Sequence, residues 1–509
     1  MYVKKIIFIL FLFAGFLSGE GKISGTSSKS APANSLFGYA VSVYGEFSAV
    51  SAPYETYDNI TSSGAIYIYK LKESKWKFFQ KITPSDPSPM KLFGVALKMV
   101  GNTLLVGAPN DNIKSGSAYV FKYNGELWIE EKKITPKNPI MFQCFGTALD
   151  LIPGFAIISS VSSENNNAAS GTVYIYRITS KEWIEEAKII SSVNDDNDLF
   201  GESLAIVSPD QFIVGSPRSS AFIENGGALF CFRNTSSGWK SLQTLNSAYP
   251  RKEGLFGCSM SYSKNKLIVG AMQEIVDSSN SGAAYIYNIN EQGEWQFEKR
   301  LTPENQKKQD YFGMAVSLEE DIAIVGSPKW DKGKLKTNND MGCANVFSNS
   351  DSGWVSIGRI VPEDGREDDH FGMAISSFGS NLFIGSRLDD VDAINNGSAY
   401  SFNLMEQFPS LRLKYIPASF ELYNNYPNPF NPVTTIRYDL PVTSRVNITV
   451  YDILGRKIIE LINSEMEAGK QQVVWNGKNS YGSEVASGIY LYRLTTSKFS
   501  NVKKMILIK

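Results

Sequence analysis

Apolar positions in this chain alternate with polar ones in short runs, and the runs recur. In Gly64-Ala65-Ile66-Tyr67-Ile68-Tyr69, Gly171-Thr172-Val173-Tyr174-Ile175-Tyr176 and Gly282-Ala283-Ala284-Tyr285-Ile286-Tyr287, β-branched and aromatic residues stand at a period of two, which fits strands and not helices. A Phe-Gly pair opens each recurrence: Phe37-Gly38, Phe93-Gly94, Phe145-Gly146, Phe200-Gly201, Phe256-Gly257, Phe312-Gly313 and Phe371-Gly372, spaced 52 to 59 residues apart. An alternating segment, a short turn and a second apolar segment follow. That second segment ends in Gly107-Ala108-Pro109, Gly215-Ser216-Pro217 or Gly326-Ser327-Pro328, with weaker forms at Ser51-Ala52-Pro53, Gly270-Ala271-Met272 and Gly385-Ser386-Arg387. The third copy reads Ser159-Ser160-Val161. A polar loop, the aromatic strand and a tryptophan strand complete the unit, with Trp76, Trp128, Trp183, Trp239, Trp295 and Trp354 in successive copies.

Each unit predicts four strands, A to D. One such sheet cannot bury both faces alone, but seven arranged radially can, so the predicted fold is all-β, a seven-bladed β-propeller. The D-strand tryptophans are expected between blades, each burying at most about 3 kcal/mol of apolar surface. The glycine of each Phe-Gly pair is expected to permit close backbone approach near the channel. The seventh unit lacks a tryptophan strand. Leu411–Ile416 is expected to supply its D strand, because Leu411, Leu413 and Tyr415 alternate; Lys22–Thr26 is the alternative.

The ends of the chain break this rhythm. Lys4 and Lys5 precede an apolar run, Ile6–Leu17, and small residues follow at Ser18, Gly19 and Gly21. This reads as a secretory signal over residues 1–21, and the run is short for a membrane span. The propeller then covers 22–416 and a linker 417–425. Residues 426–509 open on a Pro/Asn lead-in, Tyr426–Pro432, that cannot be helical. Strand runs follow at Thr434–Leu440, Val446–Tyr451, Lys457–Leu461, Gln471–Val474 and Gly488–Leu494, with a hairpin turn at Asp452-Ile453-Leu454-Gly455, giving a small Ig-like β-sandwich.

Composition narrows the function. Lys plus Arg is 50 against 51 for Asp plus Glu, a net charge of -1, which removes the footprint of a nucleic-acid binder. The single histidine, His370, excludes a multi-histidine metal site. Cys144, Cys231, Cys258 and Cys343 form no CxxC pair and are expected as buried free thiols. No GxSxG or phosphate loop is present, so the chain is not expected to be an enzyme.

The repeats resemble the FG-GAP family, best known from integrin alpha-chain propellers. In that family the A–B turn carries a calcium loop of alternating aspartates. Here the turns are minimal, as at Gly101-Asn102, Pro153-Gly154 and Pro209-Asp210, and supply too few oxygen ligands. No calcium site, and no other cofactor, is carried over. The tail resembles the C-terminal sorting domain read by the type IX secretion system of gram-negative bacteria. The matching residues are Tyr426–Pro432, the Val450–Lys457 hairpin, Trp475-Asn476-Gly477, Ser487-Gly488-Ile489-Tyr490 and the terminal Lys503-Lys504-Met505. This resemblance implies export, contact with the secretion machinery, and display on the cell surface or release.

In a four-stranded meander the D–A and B–C connections share one face. The B–C loops are long and polar, as in Tyr54–Ser63, Arg218–Gly226 and Lys329–Met341, so that face is the candidate binding face. The seventh unit places Asp364, Glu367, Asp368, Asp369, Asp389, Asp390 and Asp392 there, with Arg366, Arg387 and His370 among them. The sixth adds Lys307, Lys308, Lys329, Lys332, Lys334 and Lys336. These either form a cation site, with calcium as one candidate ion, or a dock for a charged partner, or they pair with one another or are simply solvated. Trp330, the one propeller tryptophan outside a D strand, either stacks on a ligand or pins its own loop. The ligand-binding candidates are Trp330, Lys329, Lys332, Asp368, Asp369, Asp389, Asp390 and Asp392, with a glycan or an extracellular protein as partner. Two other functions compete: a polysaccharide-cleaving enzyme using carboxylates such as Asp368 and Asp389, and a structural surface-layer component.

Overall fold

The computed structural model describes residues 21–508 apart from 24, 27, 28, 162–170, 180, 181, 192–197, 277–280, 304–308, 332–339, 392, 412–416, 418 and 467. The expected signal segment, apart from Gly21, lies outside the described residues, as do Lys332 and Asp392.

Seven antiparallel four-stranded sheets form the propeller. Blade 1 is typical: strand A is Val41–Tyr44, B is Phe47–Ala52, C is Ala65–Lys72 and D is Lys75–Ile82. The B and C strands are buried along most of their length because sheets cover both of their faces. Seven apolar clusters lie one at each seam between neighbouring blades, so no blade has a core of its own. The D-strand tryptophans reach these seams. Trp76 packs edge-on to Phe383 of blade 7, and Trp128 edge-on to Phe47 of blade 1, with ring centroids 4.9 and 5.5 Å apart. Gln80 reinforces the second contact by accepting from the Trp128 N–H and donating to its C=O, both at 2.8 Å.

The seventh blade corrects the sequence reading. Its D strand is Gly21–Ile23 from the chain's beginning, antiparallel to Ser398–Asn403, with Lys22 opposite Tyr400. Leu411 instead ends a short 3-10 helix, Pro409–Leu411, where it is buried against blades 6 and 7. The propeller thus begins at Gly21, inside the stretch expected to be signal. Cys231 and Cys343 are buried thiols; Cys144 and Cys258 are only partly covered, both beside Phe-Gly pairs at the loop face, and no disulfide joins the four.

The tail is a two-layer sandwich. One sheet joins Glu421–Leu422, Thr434–Leu440 and Gly469–Trp475; the other joins Ser444–Asp452, Lys457–Met466, Gly488–Thr495 and Ser500–Leu507. Trp475, Tyr438, Tyr492 and Met505 fill its core. Its first strand falls within 417–425, expected to be linker, because Leu422 is buried in that core and pairs with Tyr438.

Candidate functional site

The D–A/B–C face is built from one local device repeated around the ring. Each Phe-Gly phenylalanine is buried, and most donate their N–H to a carbonyl just before strand C in the preceding blade, as Phe93 to Ser63, Phe145 to Ser115 and Phe371 to Met341, at 2.9–3.2 Å, while the Phe200 N–H donates to the Asp198 carboxylate. Phe37 does the same to Asn396 and so joins blade 1 to blade 7. Strand C begins with a glycine pressed on that phenylalanine. At Gly116 (φ +83°) a Cβ would lie 2.2 Å from the Phe145 carbonyl oxygen. The Phe-Gly glycines make the expected close backbone approach as well: a Cβ on Gly38 would lie 2.1 Å from the Ser398 carbonyl oxygen, and one on Gly146 2.5 Å from that of Ser117, so the approach falls between neighbouring blades.

A second repeated device fixes the B–C loops. Three residues past the end of strand B, a carboxylate turns back to meet a strand-C tyrosine and the strand-D cation opposite it. In blade 1, Tyr67 donates to Glu55 at 2.9 Å, and Lys81, opposite Tyr67, pairs with the same carboxylate. In blade 5 the set is Glu274, Tyr285 and Arg300, the last at 2.6 Å. Blade 2 uses Asp111, Tyr119 and Lys133, and adds Lys91, whose wholly buried ammonium donates to Tyr119 and pairs with Asp111. Blade 7 uses Asp389, Tyr400 and Lys22 from the chain's beginning, at 3.0 and 2.7 Å. Where blade 4 replaces the tyrosine with Phe230, the opposite residue is Thr244 and the carboxylate position is Ser219, so all three are lost together. A buried carboxylate without its cation would be costly, and each blade described with the carboxylate also has the cation.

Two of the sequence candidates, Trp330 and Asp389, stand in this device. Trp330 occupies the carboxylate position of blade 6. Its backbone makes the same two bonds that Glu274 and Asp389 make, donating to Ser327 and accepting from Gly342. The strand-D cation, Arg359, lies over its ring at 4.6 Å and also donates to Asn345 at 3.0 Å. Trp330 is therefore a half-buried loop pin. Asp389, with a side chain 3% exposed, is held by Lys22, Tyr400 and Ser398. Burial would lower the Lys22 pKa, but Asp364 and Asp389 together raise it above the ordinary lysine value. Asp369 is buried and accepts the Arg366 N–H; burial, with Asp389 nearby, pushes its pKa up to about 6. Asp390 is exposed and accepts the Asn395 N–H at 2.6 Å.

The remaining candidates meet at the seam of blades 6 and 7. Lys329 pairs with Asp340 at 3.1 Å, and its ammonium lies 5.4 Å from the centre of the Tyr311 ring. Asp340, exposed Asp368 and His370 bring ligand atoms within 4.8 Å of one another. Burial holds the His370 pKa below its usual value, so the imidazole is neutral at pH 7.

Composition gave no sign of a second group nearer the axis. The residue after each Phe-Gly pair starts an inner strand. In blade 1 this is Tyr39, stacked with Arg387 of blade 7 at 4.9 Å and 6.5 Å from the Tyr54 ring. Burial raises the Tyr39 pKa, and its phenol senses Arg387, Tyr54 and Glu202 of blade 4. The Glu202 carboxyl is also raised by burial, against the pull of Arg218. Lining up the seven copies at this position (Tyr39, Val95, Thr147, Glu202, Cys258, Met314, Met373) would have singled out Tyr39 and Glu202.

Comparison with known families agrees with this architecture. Residues 76–121, 295–347 and 354–402 match the FG-GAP repeat, and residues 424–509 match the secretion system C-terminal sorting domain. No curated protein matches the chain. The chain thus carries FG-GAP repeats in an all-β, propeller-like fold together with a type IX secretion sorting domain, which indicates secretion and cell-surface attachment.

Proposed function

We propose that the protein is a binding or adhesion protein of the cell surface, taking a glycan or an extracellular protein on the D–A/B–C face. The supporting observation is that the B–C loops of four blades are clamped by buried carboxylate–tyrosine–cation sets, while Tyr39, Tyr54, Arg387, Asp368 and Lys329 stand at least partly exposed on that face. Rigid loops around an aromatic and charged mouth lose little entropy on binding. The reading requires no reaction and no cofactor. Asp389, one of the two carboxylates that sugar cleavage would use, is engaged by three partners.

The test is a glycan and matrix-protein array probed with the exported protein. Saturable binding is expected to weaken about tenfold (about 1.4 kcal/mol) in Arg387→Ala, with the melting temperature unchanged. Retained binding in that variant removes the mouth from the account, and a blank array favours the structural surface-layer role.

A further inference from the structure

The tail rests on the propeller's other face, and the charged groups it pairs with the propeller there are cations. Its three-stranded sheet turns toward the A–B and C–D turns. Arg437 donates to the Tyr44 hydroxyl of blade 1 and lies 5.9 Å from the centre of that ring. Lys470 pairs with Glu320 of blade 6, which also holds Lys264 of blade 5 at 2.7 Å. Lys478 pairs with Glu126 of blade 2 at 2.6 Å. Gln472 lies against Gly45, and Asn476 against Gly125. Tyr426 and Pro427 cover a small cavity floored by Gly101, Asn102, Pro153 and Gly154. In these three polar contacts the tail supplies Arg437, Lys470 and Lys478 and the propeller supplies Tyr44, Glu320 and Glu126, with the propeller's own Lys264 sharing Glu320.

From this complementarity we infer that the A–B face is a docking surface for the chain's own sorting domain. In the intact protein the tail stays seated on the propeller, and it masks a face of carboxylates and a phenol that a chain cut before Phe420 would expose. Four blades (6, 1, 2 and 3) contribute to the seat, so it recognises the assembled ring and not a single repeat. The four-stranded sheet of the tail, with the Asp452–Arg456 hairpin, then points away from the propeller and remains free for the secretion machinery.

Isolated exposed ion pairs contribute little, so the test changes two at once. Amide exchange is followed in the full chain at the turns around Gly45 and Gly125, with the untouched A–B turn Pro209-Asp210 of blade 4 as reference. In the native protein the two seated turns are expected to exchange at least tenfold more slowly than after the double change Glu126→Lys/Glu320→Lys. Adding Lys470→Glu and Lys478→Glu, which reverses both pairs, is expected to restore protection. Molar salt on the unmodified protein is expected to speed the same turns and leave the reference turn unchanged, which keeps the test independent of whether the variants fold. Seated turns that exchange like the reference turn in the native protein, or no response to both charge reversal and salt, would overturn the inference.

Discussion

Asp389 and Asp390 are neighbours with opposite fates. Asp389 is buried on Lys22, Ser398 and Tyr400, whereas Asp390 is exposed and turns back on its own loop. Replacing Asp389 with Asn leaves the Lys22 ammonium with Asp364 and weakens closure of the ring. Urea unfolding is expected to show a loss of about 3 kcal/mol, the low end for breaking a buried pair, because Lys22 is about a quarter exposed. An Asp389→Asn protein of native stability would show that this carboxylate is not structural. Asp369 gives a pH signature. Its folded pKa of about 6 lies above the usual 3.8, so the folded state retains its proton to higher pH than the unfolded chain does. The stability it contributes when protonated is lost as pH rises from about 4 to 6. Asp369→Asn is therefore expected to melt above the native protein at pH 7.5 and level with it at pH 3.5. A gap that persists at pH 3.5 would point to a packing effect instead.

At the scale of elements, the repeat was legible because its signals are local. Period-two alternation gave the strands, and Phe-Gly gave the blade starts. The carboxylate–tyrosine–cation clamp was hidden because its members lie on a loop and two strands, and only the C–D register sets Tyr67 opposite Lys81 or Tyr400 opposite Lys22. The closing strand was misread for a similar reason. Gly21 pairs with Ser401, 380 positions away, and alternation in Leu411–Ile416 offered a nearer but incorrect partner. The seam glycines provide the sharpest test at this scale. Gly116→Ala adds both a positive-φ penalty of about 1–2 kcal/mol and a clash with the Phe145 carbonyl oxygen, so it is expected to cost well over 2 kcal/mol. Gly101→Ala, at φ +59° with open space around it, is expected to cost about 1 kcal/mol. Equal costs on thermal unfolding would remove the close approach from the account.

For the whole molecule, the two faces divide the work. The tail covers part of the A–B side, and among the described residues Tyr39, Tyr54, Arg387, Asp368 and Lys329 are at least partly exposed on the opposite side. The sequence pointed to that open face through its loop lengths, but it placed the site on Trp330 and the acidic loops. Trp330 and Asp389 are engaged by the cations Arg359 and Lys22, and Asp369 is buried on the Arg366 N–H, so attention moves to Tyr39, Tyr54 and Arg387. Deleting Phe420–Lys509 is expected to leave the propeller in the periplasm, as fractionation and surface labelling would show; normal display of the truncated protein would contradict the sorting role. The most direct measurement titrates the strongest array ligand against the native protein, Arg387→Ala on the loop face and Glu126→Lys on the tail face. Binding weakened about tenfold in Arg387→Ala and unchanged in Glu126→Lys is the predicted result. Loss in Glu126→Lys with Arg387→Ala unaffected would place the ligand on the wrong side of the ring and contradict the account.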